Sequence, residues 1–390
     1  MRTNRIEQRE QSWATGKART ITFIVTENCQ LRCRYCYVVG KNAHNRMSFD
    51  TAKTAVEFFL KQQFPEPAVV LEFIGGEPLL EIELIRNITD YFKRRAYELN
   101  HKWFSQYRLQ MTTNGLAYST PRVQAFIEDN RYHTNISLTI DGTPVKHNIN
   151  RVFPDGSGSY DKVVANVPLW VSQFPESSTK VTISSDDLPY LSESVLHLWS
   201  LGIRNLNVST VFEDVWLPTD PQRYEEQLVS LADHILKNDL YVDHRCSLFD
   251  RLVGKPHDYL DNRNFCGTGS KMTAIGPDGT LYPCIRFAPM SLSQRKARSV
   301  GNIRTGLDHN RLRPFLSVDR LVQSPPKCRT CRVSTGCAWC IAGNYDNSAT
   351  GTIFERSTFH CGMHKARVRA NDYFWKHLDQ KEGLSALNQI

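Results

Sequence analysis

Two periodicities run along this chain. Short stretches rich in apolar and β-branched residues occupy positions 19–26, 69–74, 107–112, 135–140, 180–184 and 205–208. Between them, over residues 48–62, 80–99, 121–128, 162–171, 191–201 and 222–237, apolar positions recur at helical spacing. The first pattern predicts strands and the second predicts amphipathic helices. Ser48 is placed to cap the first helix, with Met47, Ala52, Ala55, Val56, Phe58 and Phe59 as its apolar set. Repeated β-α units imply an α/β protein with a parallel sheet, barrel-like or doubly wound. In either case a ligand sits beyond the C-terminal ends of the strands. After residue 240 the alternation stops. Residues 271–283 read as a β-hairpin with Pro277-Asp278-Gly279 at its turn, and residues 365–378 as an amphipathic helix that caps the fold. Residues 142–159 read as a long loop.

The strand ends carry the chemistry. The first strand runs into Glu27-Asn28-Cys29-Gln30-Leu31-Arg32-Cys33-Arg34-Tyr35-Cys36, three cysteines spaced CX3CX2C. Three thiolates can hold three irons of a 4Fe–4S cluster and leave the fourth iron open. A zinc knuckle or three unlinked thiols is the plainer alternative. Gly75-Gly76-Glu77-Pro78 follows the second strand. Its glycines let the backbone come close to a ligand, and Glu77 can accept a hydrogen bond from an amine. Thr112-Thr113-Asn114-Gly115 ends the third strand and Ile140-Asp141-Gly142 the fourth, where Asn-Gly and Asp-Gly also serve as ordinary turns. Ser184 ends the fifth, and Arg151 follows the fourth.

Composition narrows the setting. The 390 residues suffice for two domains, and a mean hydropathy of −0.42 with 41% hydrophobic residues describes an ordinary water-facing protein. No apolar run approaches the roughly 20 residues of a membrane span. The first ten residues contain no apolar signal region. Eleven cysteines in that context favour metal or cluster ligation in a reducing cytoplasm over a disulfide scaffold. The net charge of +8 is a mild excess, with no long basic run and no nucleic-acid motif beside it. Eight of the cysteines lie beyond residue 245: Cys246, Cys266, Cys284, Cys328, Cys331, Cys337, Cys340 and Cys361. Paired CX2C units are a zinc-ribbon signal by spacing alone.

With the aromatic Tyr35 just before its third cysteine, the CX3CX2C loop resembles the signature of radical S-adenosylmethionine (SAM) enzymes. The resemblance implies a partial (β/α)6 barrel over residues 19–240, after an N-terminal extension of residues 1–18. It implies that Cys29, Cys33 and Cys36 ligate a cluster whose open iron is chelated by SAM. Reductive cleavage of SAM then yields a 5′-deoxyadenosyl radical that abstracts hydrogen from substrate. Tyr35 would lie by the adenine, and Gly75, Gly76, Glu77 and Pro78 would bind the methionyl amine. Thr113, Asn114 and Ser184 would approach ribose or carboxylate, and Asp141 the substrate. Arg151 would hold a carbonyl or carboxylate of a peptide.

The order CX12GX4C, CX2CX5CX2C, C resembles a SPASM domain, over residues 241–363 and followed by a helical segment 364–390. One departure is the X2 spacing of Cys337 and Cys340, where X3 is commoner. The resemblance implies two auxiliary 4Fe–4S clusters. Cys266, Cys284 and Cys340 would hold the first, and Cys328, Cys331, Cys337 and Cys361 the second. Either Cys246 completes the first set or an iron stays open for a substrate thiolate. Segments Arg34–Asn42, Phe73–Glu81 and Ala96–Asn100 are most similar to maturases of Cys-X-X-X-repeat precursor peptides, which form the thioether bonds of ranthipeptides. Expected partners are therefore a precursor peptide and a reductant such as flavodoxin or ferredoxin, with no nucleic acid and no membrane. An anaerobic sulfatase-type maturase and a non-catalytic peptide-binding scaffold are the alternatives.

Overall fold

The computed structural model describes residues 17–41, 44–256 and 266–383. The expected N-terminal extension thus lies outside the described residues up to position 16, as do positions 384–390 of the C-terminal segment. The chain divides into two compact units: residues 1–30, 36–137 and 263–318, and residues 31–35, 138–262 and 319–390.

The first unit is built on an eight-stranded sheet. Its strands are β1 (Ala18–Thr26), β2 (Ala68–Gly75), β3 (Tyr107–Thr113), β4 (Thr134–Leu138), β8 (Met272–Ile275), β9 (Thr280–Tyr282), β10 (Gly301–Asn302) and β11 (Gly306–Leu307). They run in the order β11-β10-β9-β8-β1-β2-β3-β4. Strand β1 is buried on both faces over its last six residues, which is why its sequence is an almost unbroken apolar run. β1 pairs with β2 and β2 with β3, both parallel. Helices Phe49–Lys61, Ile82–Glu98 and Pro121–Asp129 supply the connections. Ser48 caps the first of them as its sequence predicts, accepting from Thr51 N–H at 3.0 Å.

The expected hairpin forms as β8 and β9, but its partner was not legible in the sequence. β8 lies parallel to β1, with Thr20 opposite Met272. The hairpin thereby covers the ladder groups of β1 that β2 does not use. Inside this unit Arg19 is buried against Glu66, Nε to Oε2 3.1 Å, and its guanidinium lies 3.6 Å from the centre of the Phe64 ring.

The second unit contains the parallel sheet β5 (Ser178–Ile183), β6 (Asn205–Thr210) and β7 (Arg245–Cys246). An isolated parallel bridge pairs Thr139 with Lys180. The terminal helix, Cys361–Lys381, packs along helix Asp220–Lys237. The contact is stitched by Tyr373 Oη to Asp233 at 2.7 Å and by the Arg369–Glu225 and Lys381–Asp239 ion pairs.

Residues 142–159 are not the single loop expected. Thr143 caps a helix, Pro144–Asn150, whose buried residues are Lys146, His147 and Asn150. A helix that buries polar side chains in a hydrogen-bond network lacks the apolar period that would announce it. Among the described residues no helix is long and apolar enough to cross a membrane.

Candidate active site

In the first unit the ends of β1, β2 and β3 converge on Glu77. Its side chain is 1% exposed. Oε1 accepts from Thr113 Oγ1 at 2.6 Å and Leu79 N–H at 3.1 Å, while Oε2 accepts Asn114 N–H at 2.7 Å. The carboxylate so caps the short helical turn opened by Pro78 and fixes the tip of β3. Asn114 in turn donates from Nδ2 to Gln30 Oε1 at 3.0 Å and to Cys29 Sγ at 3.8 Å. Cys29 itself is buried.

The two glycines are required by the protein's own backbone. A Cβ at Gly75 would stand 1.9 Å from Thr26 O, and one at Gly76 would stand 2.2 Å from Asn28 O. Gly76 N–H donates to Thr26 O at 2.9 Å and Glu77 N–H to Asn28 O at 2.8 Å. Both glycines let this backbone approach the loop that leads into Cys29 closely. Cys36 is also in this unit. So is Tyr37, which sequence reasoning passed over. Burial, with Cys36 next in weight, raises its pKa above the ordinary phenol value. Arg286 lies 4.9 Å from its ring, and Cys284 is also within its electrostatic reach. A cysteine of the N-terminal loop and one of the C-terminal set thus share a neighbour.

In the second unit, loop residues 31–35 carry Cys33 and Tyr35. The loop is pinned by Arg32 N–H to Val152 O at 2.7 Å and Arg34 N–H to Asn150 O at 3.0 Å. Tyr35 Oη donates to Asp141 Oδ2 and accepts from Arg151 Nη1 at 3.1 Å. Burial foremost raises the Tyr35 pKa well above its usual value, so it stays a phenol. Asp141 is 0% exposed, and its Oδ1 accepts Thr182 N–H at 2.9 Å. Both carboxylate oxygens are thus engaged within the protein, which places Asp141 behind Tyr35.

Arg151 is 5% exposed, and its Nε is buried with no acceptor among the described residues. Burial opposes its charge, but Tyr35, Cys33 and Asp141 together hold it cationic. The surrounding network fixes its backbone. Ser159 Oγ donates to Arg151 O at 2.8 Å and meets His147 Nε2 at 3.0 Å, while Asp141 N–H donates to His147 Nδ1 at 3.2 Å. Asn150 Nδ2 donates to Ser184 Oγ at 3.0 Å and to Asp187 Oδ2 at 2.8 Å. Lys146 and Asp187 form a fully buried ion pair at 3.3 Å, with Lys146 Nζ also on Thr182 O at 2.8 Å. Burial raises the Asp187 pKa against the pull of Lys146. Lys146, His147, Asn150 and Asp187 were missed from sequence because each looks like a solvated loop residue.

The C-terminal thiols of this unit gather in part. Cys328, Cys331, Cys337 and Cys361 line one cavity of about 100 Å³ together with Arg356, His360 and His364. No group of three His, Cys, Asp or Glu side chains among the described residues converges as on a single ion. The cavity is several times the space one small ion or water fills. Four thiols around such a space suit a polynuclear cluster in donor type and room. Burial pushes the Cys337 thiol up, and Arg356 counters it. Cys340 caps the helix Ile341–Asn347 through Gly343 N–H at 3.3 Å. Cys246 lies elsewhere in this unit, in an aromatic groove with Trp199, Phe249 and Trp375 whose lining contains no second cysteine. Burial pushes its thiol up to about 12. All eleven cysteines are free of disulfides.

Residues 23–184 match the radical SAM superfamily. That span begins in β1 and ends at Ser184, and takes in the three-cysteine loop, the Glu77 junction and the Arg151 network. That stretch of the chain carries the radical SAM match, and the structure has the radical SAM fold. It is 22% identical over 355 residues to a cysteine-type anaerobic sulfatase-maturating enzyme of Clostridium novyi, covering 84% of this chain and 90% of that one. It is 26% identical over 183 residues to an uncharacterised protein of Methanocaldococcus jannaschii, covering 47% of this chain but only 59% of that protein's length. Among solved structures, anSMEcpe with bound AdoMet and Cp18Cys peptide superposes with a TM-score of 0.65 at 17% identity, over 91% of this chain and 96% of that one. Streptococcus suis SuiB bound to precursor peptide SuiA does so with a TM-score of 0.58 at 14% identity, over 90% and 80%. At these identities the structural likeness speaks for the fold.

Proposed function

We propose that this protein is a peptide maturase that joins a cysteine sulfur to a carbon of a nearby residue in a ribosomally made precursor peptide. When bound, a 4Fe–4S cluster and SAM supply a hydrogen-abstracting 5′-deoxyadenosyl radical. Cys29, Cys33 and Cys36 are the thiols that would hold that cluster. Glu77 holds the tip of β3, and through it Asn114 keeps an N–H directed at Cys29 Sγ. Arg151 keeps a buried guanidinium with one N–H to spare, and so can take a carboxylate. Tyr35 and Asp141 orient it. Relatives and neighbours whose names carry AdoMet, a bound peptide or a maturase support both the cofactor and the substrate class.

The observation that carries the thioether reading is the position of Cys246. Its neutral thiol stands in an aromatic groove without a second cysteine, which argues against its service as a cluster ligand. The ligand set that the resemblance implies for the first auxiliary cluster, Cys266, Cys284 and Cys340, would then be one donor short of full ligation. A substrate cysteine is the natural fourth donor. Cys328, Cys331, Cys337 and Cys361 would hold a second auxiliary cluster.

Formylglycine formation is the second reading, favoured by the likeness to the sulfatase-maturating enzyme over 84% of the chain. One anaerobic reaction separates the two. Reconstituted protein, reductant and SAM are incubated with a synthetic peptide of Cys-X-X-X-Asp repeats, and the product is alkylated and weighed. Thioether formation predicts loss of two hydrogens per crosslink, cysteines protected from alkylation, and deoxyadenosine. An aldehyde that reacts with hydrazide supports formylglycine. Deoxyadenosine with unchanged peptide rejects this substrate, and no deoxyadenosine from cluster-loaded protein rejects the enzyme reading.

A further inference from the structure

We propose that the rim of the four-cysteine cavity in the second unit is a docking surface for an acidic one-electron carrier protein. The inference rests on the reading that Cys328, Cys331, Cys337 and Cys361 hold an iron–sulfur cluster. Charge carries it. From Arg320 to Tyr345 the chain has no acidic residue but has Arg320, Lys327, Arg329 and Arg332. Lys327, Arg356 and Lys365 line the same cavity as the four thiols. Lys327, Arg329, Arg332 and Lys365 are all exposed. None of these four meets a carboxylate among the described residues. Lys327 Nζ reaches the Thr358 hydroxyl at 3.3 Å, and Arg329 Nε donates to Ser324 O at 2.8 Å. Elsewhere in this unit, exposed cations such as Arg369 and Lys381 are paired with acids.

Glu213 and Asp214 come within electrostatic reach of His360 on one side of the cavity, but the unpaired cations give its rim a positive excess, which focuses potential outward and speeds encounter with an opposite surface. The helix Arg320–Gln323 adjoins the site, since Arg320 reaches Cys337 O at 3.5 Å. It adds two exposed apolar side chains, Leu321 at 38% and Val322 at 52%. A small apolar centre within a charged rim suits the weak, brief encounters of electron transfer. An acidic peptide has the same charge complementarity. A carrier is favoured because the cations ring thiols that are themselves only partly covered. Each encounter moves one electron between carrier and cluster, with no bond made or broken.

The test uses full-length protein with clusters reconstituted, its iron and sulfide counted, and an acidic plant-type 2Fe–2S ferredoxin as probe. Binding is measured by calorimetry at low and high salt, and electron transfer from the reduced ferredoxin by stopped flow. The Lys327→Glu/Arg332→Glu variant is expected to weaken binding by about tenfold or more at low salt, with the difference vanishing at high salt. Arg332→Glu alone, at an exposed side chain that does not line the cavity, is expected to show part of the loss with iron content intact. Unchanged binding in a fully loaded variant overturns the proposal. So does a variant that instead raises the KM for the peptide while ferredoxin binding stands. If native Cys328, Cys331, Cys337 and Cys361 are found to hold zinc, the cluster reading fails and takes this inference with it.

Discussion

Gly76→Ala tests the architecture around Cys29 most directly. The new Cβ would lie 2.2 Å from Asn28 O, 2.5 Å from Asn28 C and 2.8 Å from Glu27 O, all backbone atoms with no rotamer to yield. Bringing the first contact to an ordinary distance moves two backbone segments about 1 Å apart. That movement stretches the Gly76-to-Thr26 and Glu77-to-Asn28 hydrogen bonds, now 2.9 and 2.8 Å, beyond bonding range. A lost buried backbone bond costs about 1–3 kcal/mol, so the substitution should destabilise the protein by roughly 2–4 kcal/mol after partial relaxation. The displaced residue, Asn28, immediately precedes Cys29, so bound iron in the three-cysteine loop should fall as well. The assay pairs urea unfolding with iron analysis of anaerobically reconstituted protein. Gly156→Ala is the control. Its φ is +85°, but nothing lies within 4 Å of the added methyl, so it should cost only about 1 kcal/mol and no iron. Native stability and iron in Gly76→Ala would refute the packing argument.

Four further outcomes follow from the structure. Arg19→Met strands Glu66 in the first unit without its partner and should cost about 3–5 kcal/mol by urea unfolding, much of it recovered in Arg19→Met/Glu66→Met. Burial foremost, then Arg151, lowers the His147 pKa from 6.5 to about 3. The unfolded side chain therefore takes up its proton first, and stability is complete above the unfolded value and lost as pH falls below it. The loss is about 1.4 kcal/mol per pH unit, so His147→Gln should flatten the stability profile between pH 7.5 and 5.5. Asn114→Leu removes the N–H directed at Cys29 Sγ and should make the potential of a cluster held there more negative, read by EPR-monitored titration. Cys337→Ala should remove one cluster's worth of iron while deoxyadenosine formation under strong reductant persists.

The sequence by itself determined the local elements and the chemistry-bearing residue types. Repeated apolar runs and amphipathic stretches predicted β1 to β6 and the helices between them, because each buries a face whose period is written in residue order. Cysteine spacing marked the three-thiol loop and the C-terminal set, because ligands close in sequence share a loop. What remained hidden needed residues far apart to meet. The helix Pro144–Asn150 buries lysine, histidine and asparagine, so no apolar stripe betrays it. Asp187 acquires meaning only from Lys146 and Asn150, some forty residues earlier. Whether the two glycines before Glu77 serve a ligand or the backbone depends on where the end of β1 lies. The pairing of β8 with β1 joins residues 252 positions apart, and nothing in either strand names the other. Tertiary structure also separated the cysteines: four share a cavity, while Cys246, equally a cysteine in sequence, stands among aromatic rings with a thiol that burial keeps neutral.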